Sequence, residues 1–169
     1  MRRLARWALV ALSLAAILTA GLCLRRWGVG LVRVSGTSMS ETLRDGDLAL
    51  VTRWDYLRRA PGRGDVVQCR FPGRADDYIK RVVGLPGERV AFEGGALTVD
   101  GRPLSEPYVS TPTEDYARKL GDGEYLLLGD NRVQSYDSRM DDMGTLGAGD
   151  FLGRVRFVLW PLSRLGPVT

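Results

Sequence analysis

The chain has 169 residues, enough for one ordinary domain with an appendage, and a formal charge of +4 from 24 Lys+Arg against 20 Asp+Glu. Six arginines precede residue 34 and no acid occurs before Glu41, so residues 34–169 hold 18 bases against 20 acids; a nucleic-acid footprint, which needs a basic patch on the folded domain, is excluded. The absence of histidine rules out a Ser-His-Asp route to serine chemistry, and two distant cysteines, Cys23 and Cys69, speak against a disulfide or a zinc site.

Residues 1–6 form a short basic N-terminus. Trp7 to Leu24 is an uncharged run of 18 residues, flanked by arginines. A bilayer core takes about 20 apolar residues as helix, so 7–24 reads as a single transmembrane anchor. A cleavable signal peptide is the competing reading, but no small-x-small cleavage pattern follows the run. Charge alone leaves the orientation nearly tied: Arg2, Arg3, Arg6 and the amino terminus face Arg25, Arg26 and Arg33. Residues 25–33 are a juxtamembrane segment.

Beyond it the apolar pattern shortens to period two or to brief runs. Strands are expected at Leu48–Val51, Asp65–Cys69, Tyr78–Val83, Arg89–Phe92, Ala96–Val99, Glu124–Leu128 and Gly153–Leu159. Turn signals separate them, among them Arg44-Asp-Gly-Asp47, Leu85-Pro-Gly-Glu88, Glu93-Gly-Gly95 and Gly121-Asp-Gly123. The polar, proline-containing stretch 105–123 reads as a long exposed loop. Residues 34–169 are therefore expected to be mainly β, with antiparallel sheets and many hairpins.

Three segments could carry chemistry. Ser38 follows a glycine turn, Ser35-Gly-Thr-Ser-Met39, where a hydroxyl and its own N–H can both be free. A serine nucleophile needs a base. Arginine keeps its proton, so Lys80 and Lys119, the two lysines of the chain, are the basic candidates. Lys80 lies in the apolar run Tyr78-Ile-Lys-Arg-Val-Val83, where burial would disfavour its ammonium form; Lys119 lies in a polar stretch. Period two sets Tyr78, Lys80 and Val82 on one face and Ile79, Arg81 and Val83 on the other, and leaves open which face is inward. The third segment is Gly129-Asp-Asn-Arg-Val-Gln-Ser-Tyr-Asp-Ser-Arg139, in which Asp137 and Arg139 can pair and Ser135 can orient a lysine.

In this order, these boxes resemble those of the type I signal peptidases, membrane-bound leader peptidases that use a Ser–Lys pair. Arg63-Gly-Asp-Val-Val67, the hairpin Gly94-Gly-Ala-Leu-Thr-Val-Asp-Gly101 and the closing run Gly153-Arg-Val-Arg-Phe-Val-Leu-Trp-Pro161 also have counterparts there. The resemblance implies a compact signal-peptidase-like catalytic domain over 34–169, behind one N-terminal transmembrane helix. It implies Ser38 as nucleophile and Lys80 as general base. Ser135, Asp137 and Arg139 would support and orient the lysine, and the Ser38 N–H would bind the oxyanion. Val34, Gly36, Met39, Leu43, Tyr78 and Ile79 would line pockets for small substrate side chains. No metal or cofactor is implied.

The implied partners are exported preproteins and membrane lipid. The implied location is the cell membrane, single-pass, with the N-terminus cytoplasmic and the catalytic domain on the outer face. Two positions depart from the family: Glu41 stands where proline is usual, and Gly36 where some members place a second serine. A dedicated conjugation- or pilus-type processing peptidase with the same dyad, and a non-catalytic anchored β domain that binds exported peptides, are the alternatives.

Overall fold

The structure, a computed structural model, describes residues 2–26 and 28–169, and within the first helix the side chains of a subset only. In chain order, helix α1 (Arg2–Arg26) leads into β1 (Val29–Arg33) and β2 (Leu48–Thr52). One short helical turn, α2 (Asp55–Arg58), precedes β3 (Val66–Cys69) and β4 (Tyr78–Gly84). Then come β5 (Arg89–Glu93), β6 (Ala96–Val99), β7 (Arg102–Pro103), β8 (Tyr116–Lys119), β9 (Leu126–Leu128), β10 (Phe151–Trp160) and β11 (Gly166–Pro167).

Two antiparallel sheets result. The larger runs β1-β2-β10-β3-β4-β9, with β11 added along β10; the smaller runs β7-β6-β5-β8. The mainly β, antiparallel expectation holds, and each expected strand has its counterpart. Two stretches differ. Val29-Gly-Leu-Val-Arg33 forms a strand that pairs residue for residue with Thr52 back to Leu48, although no strand is expected there. The expected loop 105–123 ends in β8, which pairs Tyr116–Lys119 with Phe92–Arg89. Its apolar content is low because it is an edge strand whose alternate residues face water.

α1 covers the segment expected to be an anchor. Among the described residues, no helix is long and apolar enough to cross a membrane.

Three apolar clusters hold the sheets. Val34, Met39, Leu43, Ala49, Val51, Val66, Val155 and Val158 form one, around β2 and β10. Val67, Cys69, Phe71, Val82, Leu127 and Phe151 belong to a second. Val83, Val90, Phe92, Leu97, Leu126 and Leu128 fill the space between the two sheets. Gly84 sits in that third layer because a Cβ there would come within 2.8 Å of the Val90 side chain. Val82 and Val83 of β4 thus go to different clusters, so this strand is covered on both faces. That answers the question left open by period two: from Lys80 onward every β4 residue is buried.

Candidate active site

A cleft of about 400 Å3 opens between the segment that leaves β1 and the start of β4. Val34, Gly36, Ser38 and Met39 line one side; Tyr78, Ile79 and Lys80 line the other. β9 pairs with β4 only from Arg81 onward, so Tyr78, Ile79 and Lys80 have an edge with no strand against it. β1 is likewise the end strand of its sheet. The cleft therefore offers unpaired backbone of the kind to which an extended peptide adds as a strand.

Ser38 sits in a tight loop fastened at its far end. The Leu43 N–H donates to the Met39 carbonyl at 2.6 Å, and the Arg44 N–H to Asp47 Oδ2 at 2.9 Å. Gly36 takes φ +93°, a left-handed conformation that favours glycine, and donates its N–H to Asp45 Oδ1 at 2.8 Å. The Ser38 N–H has no partner among the described residues, while its carbonyl accepts from the Asn131 N–H at 3.0 Å.

Lys80 is 2% exposed. Its Nζ donates to Ser135 Oγ at 3.1 Å. Burial pulls the Lys80 pKa below the ordinary lysine value, and the Asp137 carboxylate opposes that shift. Lys119 is different: it lies on exposed β8 and bonds the Gly87 carbonyl.

Ser135 lies on the loop 129–139, and this loop is fixed from within. Asp137, fully buried, accepts from the Gly129 N–H at 3.0 Å and from Arg139 Nε at 2.8 Å. Arg139 also donates to the Arg132 carbonyl at 2.8 Å. Ser138 Oγ takes the Leu127 N–H at 3.1 Å, which ties the loop to β9. Gly129 is wedged between Ser135 and the Ser38 carbonyl, so that a Cβ would lie 2.5 Å from Ser135 Cβ. The loops bearing Ser38 and Ser135 therefore touch at a residue with no side chain.

The arrangement unites Ser38, Lys80, Ser135, Asp137 and Arg139 with five of the six expected pocket residues. Leu43 is the exception. It is fully buried in the cluster with Ala49 and Val155 and does not line the cleft. Its position five residues after Ser38, within the turn that closes the loop, points it into the core.

Sequence reading missed the charged layer behind Lys80. Arg81, 1% exposed, pairs bidentately with fully buried Asp130, Nε at 2.8 Å and Nη2 at 2.7 Å. Thr42 Oγ1 donates to the same carboxylate at 2.5 Å. Arg132 pairs with Glu106 through both nitrogens, at 2.9 and 2.5 Å. The signal for Arg81 and Asp130 was their adjacency to Lys80 and Gly129; for Glu106 there was none.

The architecture and the cleft are those of a class, the β-rich serine hydrolases. The chain belongs to the signal peptidase family, peptidase S26, whose profile matches residues 4–160. It is similar to signal peptidase I of Leptolyngbya laminosa, with 35% identity over 144 residues, 79% of this chain and 70% of that protein. Signal peptidase IB of Staphylococcus aureus is 33% identical over 150 residues, 77% of each chain. The crystal structure of a signal peptidase I from Enterococcus faecalis superposes with a TM-score of 0.52 at 29% identity, covering 57% of this chain and 97% of that one.

Proposed function

We propose that the chain removes signal peptides from exported preproteins, with Ser38 as nucleophile and Lys80 as general base. The observation that carries this reading is the buried Lys80 Nζ 3.1 Å from Ser135 Oγ, in the cleft that also holds Ser38. A lysine kept dry and bonded to a hydroxyl, with no carboxylate hydrogen-bonded to it, favours its neutral form, which can accept a proton.

The substrate's cleavage segment lies extended along the free edge of Tyr78–Lys80. Small side chains before the cut enter the recesses formed by Val34, Met39 and Ile79. Neutral Lys80 takes the proton from Ser38 Oγ as Oγ bonds the substrate carbonyl carbon. The oxyanion that forms accepts the Ser38 N–H. Lys80 then gives its proton to the departing amine as the C–N bond breaks, leaving an ester on Ser38. In the second half, Lys80 takes a proton from water, the resulting hydroxide attacks the ester, and the proton returns to Ser38. Ser135 aims the lysine, and Asp137 with Arg139 holds Ser135.

We place α1 in the bilayer as an anchor with its N-terminus cytoplasmic and the catalytic domain on the outer face. The helix of 25 residues is about 37 Å long at 1.5 Å per residue, against an apolar core of about 30 Å. Trp7, Leu12, Ile17 and Leu22 all point away from the protein, at 60–72% exposure. Residues 7–24 carry no charge. An anchor there keeps the cleft close to the membrane surface.

The test is preprotein cleavage in detergent by the full chain and by Ser38→Ala and Lys80→Arg. Both variants should lose cleavage. Arginine preserves the charge and cannot give up its proton, so a Lys80→Arg enzyme that still cuts would refute the base role.

A further inference from the structure

Residues 104–115, between β7 and β8, have almost no regular structure, yet every second residue from 106 to 110 reaches a segment that bears the site. Glu106 takes both Arg132 nitrogens, and Arg132 stands three residues before Ser135. The Tyr108 ring lies 3.8 Å from the Arg81 guanidinium carbon, and Arg81 follows Lys80. Ser110 Oγ donates to Glu41 Oε1 at 2.5 Å, and Glu41 stands three residues after Ser38. Tyr108 also donates its hydroxyl to Glu106 at 2.9 Å, so the first two of these contacts are joined. Thr113, at the far end, accepts from Arg132 Nη1 at 3.0 Å.

A turn explains the reach. The Val109 N–H donates to the Glu106 carbonyl at 3.0 Å, so the chain folds back over 106–109 and Glu106, Tyr108 and Ser110 meet three separate segments. Each target is itself committed: Arg81 holds Asp130, the Asp130 carboxylate holds Thr42, and the next residue, Asn131, holds the Ser38 carbonyl through its N–H and the Thr37 carbonyl through its side chain. Glu41, where the family usually has proline, supplies the acceptor for Ser110.

We propose that Glu106, Tyr108 and Ser110 form a strap of positioning residues that clamps the Ser38 loop and the Ser135 loop against β4, and so sets the reach of Lys80 for Ser38. The inference rests on the Ser38–Lys80 reading above. The strap touches neither substrate nor dyad. It lies against Arg81, on the face of β4 opposite Lys80, so its loss disturbs geometry and leaves the burial of Lys80 as it was.

The experiment measures kcat and KM on a purified preprotein with the full chain in detergent, normalised to the folded fraction from thermal melting. Tyr108→Ala should lower kcat about tenfold with KM within about twofold, since misplacement of reacting groups by a fraction of an ångström to one ångström costs up to about a hundredfold. Tyr108→Phe keeps the ring over Arg81 and should recover kcat to within about threefold. The acid limb of the kcat/KM profile should stay at its wild-type pH in both. Wild-type kcat in Tyr108→Ala, a rise in KM alone, a displaced acid limb, or equal losses in the Ala and Phe variants would each overturn the strap. If Tyr108→Ala does not fold, Ser110→Ala decides: this exposed residue should cost about two- to threefold in kcat, and no change there would overturn the proposal. Ser38→Ala run alongside separates the two readings. Cleavage by that variant would sink the dyad itself; an inactive Ser38→Ala beside a fully active Tyr108→Ala would sink the strap alone.

Discussion

Gly129→Ala is the sharpest single test of how the site is assembled. Gly129 joins β9 to the loop that carries Ser135, and its φ lies outside the left-handed region, so alanine adds no backbone strain. The whole effect is spatial. The added methyl would stand 2.5 Å from Ser135 Cβ, and closer still to Ser135 Oγ and the Ser38 carbonyl oxygen, where real Cβ atoms keep at least 3.0 Å. Relief requires the Ser38 loop and Ser135 to separate by about half an ångström to one ångström. That shift falls on the contact between nucleophile loop and lysine partner. A displacement of this size costs up to about 10²-fold in rate, or about 2.7 kcal/mol of barrier, while overpacking costs about 1–3 kcal/mol of stability.

The assay is preprotein cleavage per folded molecule, beside a melting curve. Gly153→Ala is the control. A Cβ there meets the Val51 side chain at 2.6 Å, also too close but less crowded than at Gly129, and it lies on β10 away from the cleft. It should lower the melting temperature and leave the rate per folded molecule unchanged. Gly129→Ala with wild-type cleavage per folded molecule would refute the claim that this glycine sets the spacing of the two loops.

The remaining predictions concern titration and the core. Activity should rise with pH through the depressed Lys80 pKa, because the deprotonated amine is the base; burial is the first cause of that depression and Asp137 the main opposing influence. Asp137→Asn should therefore move the acid limb of kcat/KM to lower pH, and a move to higher pH would contradict this balance. The same depression sets a sign for stability. Between the folded and unfolded Lys80 pKa values the unfolded chain binds the extra proton, so this group makes the fold more stable as pH rises toward the ordinary lysine value and less stable as pH falls through the folded one. Denaturant titration of wild type against Lys80→Met isolates that slope; wild type should gain stability relative to the variant as pH increases. Leu43→Ala should cost about 2–5 kcal/mol of stability and leave the choice of substrate side chains unchanged, as suits a core residue outside the cleft. Altered cleavage-site preference in that variant would return Leu43 to the pocket.

Local pattern made the strands legible, because short apolar runs between glycine turns have few other fates. The proposed dyad was legible for a different reason. With no histidine and two lysines, the apolar setting of residue 80 favoured Lys80 over Lys119, and the resemblance of the ordered boxes to the signal peptidases pointed to Ser38. What stayed hidden depends on contacts distant in sequence. Val29-Gly-Leu-Val-Arg33 has only partial alternation and becomes a strand because β2 lies beside it. The family resemblance implied Leu43 as a pocket residue, but the turn from Met39 to Leu43 directs it inward. Glu106, Tyr108 and Ser110 read as a solvated loop because their partners lie 26, 27 and 69 positions away. No periodicity within the loop records those pairings.

β4 holds a lysine and an arginine side by side, and its two faces treat the two charges differently. Lys80 and Arg81 are both nearly inaccessible, 2% and 1%, and successive residues of a strand face opposite ways. Burial penalises either charge, so the outcome depends on what each face supplies. Arg81 meets a carboxylate through two hydrogen bonds, the Gly64 carbonyl at 2.9 Å and an aromatic ring, a set that suits a guanidinium unable to lose its proton. Lys80 meets one hydroxyl, and the acid that acts on it most strongly, Asp137, is already engaged by Arg139 and the Gly129 N–H. In the proposed mechanism Arg139 therefore does more than hold a loop: paired with Asp137, it offsets the pull of that carboxylate on the Lys80 proton, which favours the neutral amine a base requires.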